Sequence, residues 1–150
     1  MKKRKTARQP RERFVKLSST GRELSIRAKN WPLVLDRETK LIWTAEPVLS
    51  DRANWGKAIC AADAARYMGR KFHAPSIKEQ FSIVDHTKRG PAVDTRFFRL
   101  PAQWFWTSTP LAGFEESLAW FVYFSHGGAG GNAQDREAFV LAVCSARASQ

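Results

Sequence analysis

The chain has 150 residues, 43% of them hydrophobic and 26% charged, with a formal net charge of +11. That length suits one domain, and that composition can build a core, which excludes a chain disordered throughout. No apolar run approaches the ~18 residues of a membrane span, so an integral helical membrane protein is not expected.

The charge is unevenly spread. Residues 1–30 hold eleven Lys/Arg against Glu12 and Glu23, a balance of +9, which leaves only +2 for the other 120 residues. Residues 1–12 have almost no apolar content and read as a basic disordered arm; residues 13–150 read as the folded domain. Lys2, Lys3, Arg4, Lys5, Arg8, Arg11 and Arg13 are therefore the candidate nucleic-acid contacts, since such cations hold phosphates by counterion release. The plainer reading is a solvated tail that aids solubility. No apolar stretch of the signal-peptide kind follows the basic start, so no secretory signal is expected. The two cysteines lie outside any C-x-x-C pair, which points to a soluble protein of a reducing compartment.

In chain order, Phe14 to Leu17 and Leu24 to Ile26 flank a Ser-Ser-Thr-Gly turn and predict a hairpin. Leu33-Val34-Leu35 and Leu41-Ile42-Trp43 predict a second. A helix follows, capped by Asn54, or by Ser50 or Asp51 if it starts earlier. Trp55, Ala58, Ile59, Ala62, Ala65 and Met68 recur along it at helical spacing, and Gly69 fits the left-handed position just past its end. A second helix starts at the capping box Ser76-Ile77-Lys78-Glu79, with Ile77, Phe81 and Val84 as its apolar stripe. Beyond Pro91 the runs 104–107, 118–124 and 139–143 read as strands, the middle one covered on both faces. Four glycines between His126 and Glu137 cost too much entropy for a regular element and predict a surface loop there. Hairpins, two helices and then strands make an α+β fold with helices on an antiparallel sheet.

Catalytic and metal chemistry find little support. His73, His86 and His126 form no short ligand pattern, and Cys60 and Cys144 are 84 positions apart. Both cysteines read as buried thiols, with a disulfide between them expected only in an oxidising compartment. The GGAGG stretch lacks the Lys-Ser/Thr of a phosphate cradle, and Asp85-His86 has no accompanying nucleophile motif. No catalytic residue, cofactor or metal ligand is assigned. Six tryptophans and ten phenylalanines are the other anomaly. Trp43, Trp55, Phe81, Trp120 and Phe124 read as core. Trp104 and Trp106 share one face of a strand, opposite Phe105, and are candidate ligand-binding residues because exposed rings stack on sugars, bases or side chains.

Seven segments in order resemble the Lcl C-terminal domain family of bacterial and phage proteins. They are Thr39 to Trp43; Trp55, Ala58 and Cys60; Phe72 to Glu79 running on to Ile83-Val84-Asp85; Pro91 to Asp94 with Phe97-Phe98; Trp104 to Pro110; Ala119 to Ser125; and Val140 to Cys144. The resemblance implies a C-type-lectin-like fold in which two helices pack on a small antiparallel sheet, the first and last strands pair, and long loops gather on one side. It also implies a non-enzymatic binding module with a protein or glycan partner, encoded by a phage or prophage and located in the bacterial host cytoplasm or the virion. The ligand surface expected from such a fold lies on loops 110–118 and 126–137, with His126, Asn132, Asp135 and Arg136 as polar contacts. The chain departs from the family pattern at four places. Lys40 replaces a glycine, so its turn must avoid a positive φ or tolerate strain. His73-Ala74 replaces Arg-Leu, Leu141 replaces an arginine, and the glycine-rich stretch replaces one rich in tyrosine and tryptophan. The calcium signatures of C-type lectins are missing, so calcium-dependent sugar binding is not expected.

Overall fold

The computed structural model describes residues 11–147. Two four-stranded sheets dominate it. The first runs β1 (Phe14–Leu17), β2 (Leu33–Asp36), β3 (Leu41–Thr44) and β10 (Val143–Ser145), in the order β1-β2-β3-β10. The second contains β6 (Trp104–Pro110), β7 (Leu118–Tyr123), β8 (Gly128–Ala133) and β9 (Phe139–Val140), in the order β8-β7-β6-β9. Between the sheets in sequence lie helices α1 (Trp55–Ala64) and α2 (Ile77–Phe81), with the short strands β4 (Arg66–Tyr67) and β5 (Arg70–Lys71) between them. The α+β class is as expected. Every paired strand is antiparallel except β6 and β9, which run parallel.

Strand alternation gives each sheet one face in each of two apolar clusters. Val34, Trp43 and Val143 of the first sheet meet Phe105 and Val122 of the second, with Phe124 just past β7, in one cluster, which the segment after α2 closes with Ile83, Val93, Phe97, Phe98 and Leu100. Leu33, Ile42 and Cys144 meet Trp106, Ala119 and Val140 in the other, closed by Ala58 and Ala62 of α1. The two faces of β7 therefore enter different cores, as its unbroken apolar run requires.

Several elements differ from expectation. The β2–β3 hairpin forms as predicted; β1 pairs along its length with β2, and the segment returning from the Ser18–Gly21 turn meets β1 only at the Leu17–Glu23 bridge, without forming a strand at 24–26. The intervening loop is held instead by Lys16, whose ammonium donates to the carbonyls of Ile26 at 2.6 Å and Ala28 at 2.7 Å. Helix α1 is capped by Asn54, which accepts the Lys57 N–H, but it stops at Ala64. Met68 and Gly69 both have positive φ, 56° and 67°, and form the tight turn of the β4–β5 hairpin rather than a helix end. The capping box of α2 is present, yet the helix has five residues. Its buried residue is Gln80, at 0% exposure, while Phe81 is 42% exposed and not core. The run 139–143 is split between the two sheets, and β1 and β10 occupy opposite edges of one sheet instead of pairing. Cys60 is exposed, and both it and the buried Cys144 are free.

The glycine-rich stretch is the largest correction, because it forms β8 along the edge of the second sheet. The glycines sit where neighbouring side chains occupy the space a Cβ would enter. A Cβ at Gly130 would lie 3.2 Å from Phe121 Cζ, and one at Gly131 would lie 2.5 Å from Leu111 Cδ1. The ladder to β7 offsets the entropy that argued for a loop.

Candidate functional site

Trp104 and Trp106 do share a face of β6, but they differ in role. Trp106 is 1% exposed and its indole N–H donates to the Ala53 carbonyl at 3.0 Å. A buried, satisfied indole is core, so Trp106 is removed from the candidate ligand residues. Trp104 is half-buried and stacks on Phe121 with ring centres 4.4 Å apart and planes 9° from parallel. Tyr123 meets Trp104 edge-on at 5.6 Å, and His126 stacks on Tyr123 at 5.3 Å. Gly128 and Gly130 lie beside Tyr123 and Phe121 in the register. Aromatic rings therefore cover this face where the edge strand has no side chains.

Beyond β8 the chain crosses this face to reach β9. Gln134 pins the crossing: its N–H donates to the Ser117 carbonyl at 2.9 Å, and its carbonyl accepts the Trp55 N–H at 3.0 Å. Ala138 anchors the other end by exchanging two backbone bonds with Ala53, each 2.9 Å. Asp135, Arg136 and Glu137 stand on the span between and, with Arg52, Gln103, Trp104 and Asn132, line an open cleft of about 550 Å³. Of the predicted residues, Trp104, Asn132, Asp135 and Arg136 are brought together. His126 lies outside the cleft lining, where its Nδ1 accepts the Gly128 N–H at 3.0 Å. Arg52 and Gln103 were missed, and Glu137 lies within the expected loop 126–137 but is not among its predicted contacts. They stand in the strand-poor segments before α1, β6 and β9, and no local motif marks them.

The cleft is rich in charge of both signs, two cations and two anions, that is not tied up in ion pairs. Arg52, Asp135, Arg136 and Glu137 are all exposed, and none forms an ion pair among the described residues. Elsewhere some charges are paired, although Lys57, Lys71, Lys78 and Glu116 are also exposed and outside any ion pair among the described residues. Arg13 grips Asp36 with two bonds of 3.0 and 2.8 Å, reaches Glu38 at 2.8 Å, and donates to the Ser82 carbonyl at 2.9 Å. This corrects its place among the nucleic-acid contacts, because its donors already hold the fold together. Burial pushes the Asp36 carboxyl up, but the bonds and charge of Arg13, with hydrogen bonds from Thr39 and the Glu38 N–H, together outweigh this, so it titrates below the usual aspartate range. Arg11 is exposed, while Lys2, Lys3, Arg4, Lys5 and Arg8 lie outside the described residues.

The histidines have local partners. His73 Nε2 lies 3.3 Å from Glu79 Oε1, which raises the imidazole pKa. His86 Nε2 lies 3.1 Å from the Gly127 carbonyl oxygen.

Among known families, residues 32–144 match the Lcl C-terminal domain. The chain belongs to the Lcl C-terminal domain family. No curated protein and no solved structure matches it. The Lcl C-terminal domain match spans all seven residues of the cleft and both helices, and it omits β1 and the loop that Lys16 holds.

Proposed function

We propose that this Lcl C-terminal domain is a non-enzymatic recognition module that binds a protein or glycan partner in the cleft beside Trp104. The observation that carries the reading is the set of four exposed, unpaired charged side chains around a half-buried indole. Unpaired guanidinium and carboxylate groups are free to form charge-assisted hydrogen bonds with a ligand, and the ring supplies apolar contact. Two short helices, strands from both chain ends in one sheet, and a crossing segment over the second sheet agree with a C-type-lectin-like arrangement. A phage or prophage origin, in the host cytoplasm or the virion, accords with the family resemblance.

The test is a glycan array and a peptide array probed with the intact chain and with Arg136→Ala and Asp135→Ala. Both positions are exposed, so each substitution should change stability by no more than about 0.5 kcal/mol while reducing binding to any array hit. Trp106→Ala is the contrasting control, expected to destabilise by about 3–5 kcal/mol. Array binding that survives both cleft substitutions would overturn the assignment.

A second reading rests on the +9 balance of residues 1–30. The arm cations from Lys2 to Arg8, with Arg11, would hold nucleic-acid phosphates, and the folded body would anchor them.

A further inference from the structure

The two large sheets have four edges, and three of them are covered by irregular chain. The Leu24 N–H donates to the Lys16 carbonyl of β1, His73 exchanges two bonds with Val143 of β10, and the Val48 N–H donates to Val140 of β9. The remaining edge is β8. Its ladder phase follows from the bond between the Gln134 N–H and the Ser117 carbonyl, which continues the β7–β8 register. In an antiparallel pair the backbone groups alternate between the neighbour and the outside. Gly128, Gly130 and Asn132 thus bond to β7, while Ala129, Gly131 and Ala133 face outward.

Ala133 is already closed off. Its N–H is taken by the Asn132 side-chain oxygen at 2.8 Å and its carbonyl by the Arg136 N–H at 3.0 Å. Ala129 and Gly131 are exposed and make no hydrogen bond among the described residues beyond their own ladder. No charge, proline or bulge interrupts β8, although natural edges usually carry one of these protections.

We infer that β8 is a self-pairing edge through which two copies of this chain join their second sheets. Two outward residues spaced two apart are self-complementary in an antiparallel pair. With a twofold axis through Gly130, Ala129 of each copy faces Gly131 of the other, and all four donors and acceptors on each side are matched. The small side chains of Ala129, Gly130 and Gly131 allow that approach. The product is one eight-stranded sheet in the order β9-β6-β7-β8-β8-β7-β6-β9. A twofold perpendicular to the sheet keeps corresponding faces on the same side, so both Trp104 clefts open in one direction. If the cleft binds ligand as proposed above, the pair is a bivalent receptor that gains avidity on a repeated target; the pairing itself does not depend on that reading.

Sedimentation velocity of the full chain, over on the order of a thousandfold range of concentration, should show a reversible monomer–dimer equilibrium. Amide exchange at Ala129 and Gly131 should slow as dimer forms. Ala129→Pro removes an outward donor at a position where an edge strand tolerates proline. Ala129→Lys keeps the donor and adds an edge charge, so it tests the idea if the proline variant fails to fold. Each should weaken dimerisation by roughly tenfold or more, whereas Arg136→Ala should dimerise normally even if it loses ligand. A chain that stays monomeric throughout the range overturns the inference, as does a dimer indifferent to both Ala129 variants. Protection of those amides in a monomer by an added threonine–valine strand peptide would also overturn it, by assigning the edge to a foreign strand.

Discussion

Lys40 has φ of 61°, so the turn between β2 and β3 does not avoid the left-handed conformation; it tolerates it. Its N–H donates to the Asp36 carbonyl at 2.9 Å, closing the turn immediately before Leu41 pairs with Asp36. A side chain in that region costs about 1–2 kcal/mol. Part of that is offset because glycine has more unfolded-state freedom to lose. Lys40→Gly should therefore stabilise the domain by about 1 kcal/mol, visible as a higher urea midpoint at unchanged slope. Asp36 at the other end of the same turn is 0% exposed and held by Arg13. Removing Arg13 would leave this buried carboxylate without its cation, and Arg13→Ala should cost about 3 kcal/mol. The pH dependence has a definite sign. Asp36 titrates lower in the folded state than in the unfolded one, so its contribution is complete above the unfolded value of about 3.9. It is lost as pH falls through the folded value. Acid titration of Asp36→Asn should lack that loss.

At the scale of elements, α2 shows how a short helix is held by its ends. Five residues are too few to be stable from helix propensity alone. Ser76 accepts the Glu79 N–H at 3.1 Å, and Glu79 accepts the Ser76 N–H at 2.9 Å while facing His73. Gln80 then anchors the helix to β6 by donating to the Phe105 carbonyl at 3.1 Å. Burial raises the Glu79 carboxyl, but its bonds to His73 and Ser76 bring it below the ordinary range, and Glu79 in turn raises His73. The glutamate's share is present above its unfolded value, about 4.3, and the histidine's below its unfolded value, about 6.5. The pair thus stabilises most between those limits. It weakens as pH rises through the folded His73 value or falls through that of Glu79. Glu79→Ala should cost about 1 kcal/mol and flatten the dependence above pH ~6.5, both measurable by thermal unfolding across pH. Strand β8 is the opposite case. It has almost no side chains of its own, and the rings of Phe121 and Tyr123 supply the bulk on its inner side.

For the whole molecule, the charge balance and the cleft make separable demands. The described body pairs Arg13, Arg37, Arg96 and Arg99 with carboxylates and leaves Arg52 and Arg136 unpaired at the cleft. If the arm holds nucleic acid, the full chain should bind random DNA and RNA with a steep salt dependence. A chain lacking residues 1–12 should then lose that binding, with a stability loss of no more than about 1 kcal/mol from the exposed Glu12–Arg96 pair. Filter binding at low and moderate salt decides it. Absence of binding by the full chain would remove the second reading and leave cleft partners as the route to function.

The amino-acid sequence made the α+β class and the family legible through the order of its segments, and the β2–β3 hairpin and both helix starts because these depend on contacts within a few residues. A capping serine needs only the glutamate three positions on, and a hairpin only its two strands. It also placed Trp104, Asn132, Asp135 and Arg136 among the candidate residues. Tertiary structure decided what local rules leave open. Met68 enters a tight turn, and the glycine stretch pairs as a strand because Phe121 and Leu111 fill the space its missing side chains leave. Trp106 is core while Trp104 borders a cleft, although both occupy the same face of β6. Arg52, Gln103 and Glu137 join the site only when the chain crosses the second sheet between Gln134 and Ala138. Their positions depend on long-range backbone pairing, which no short window of sequence contains.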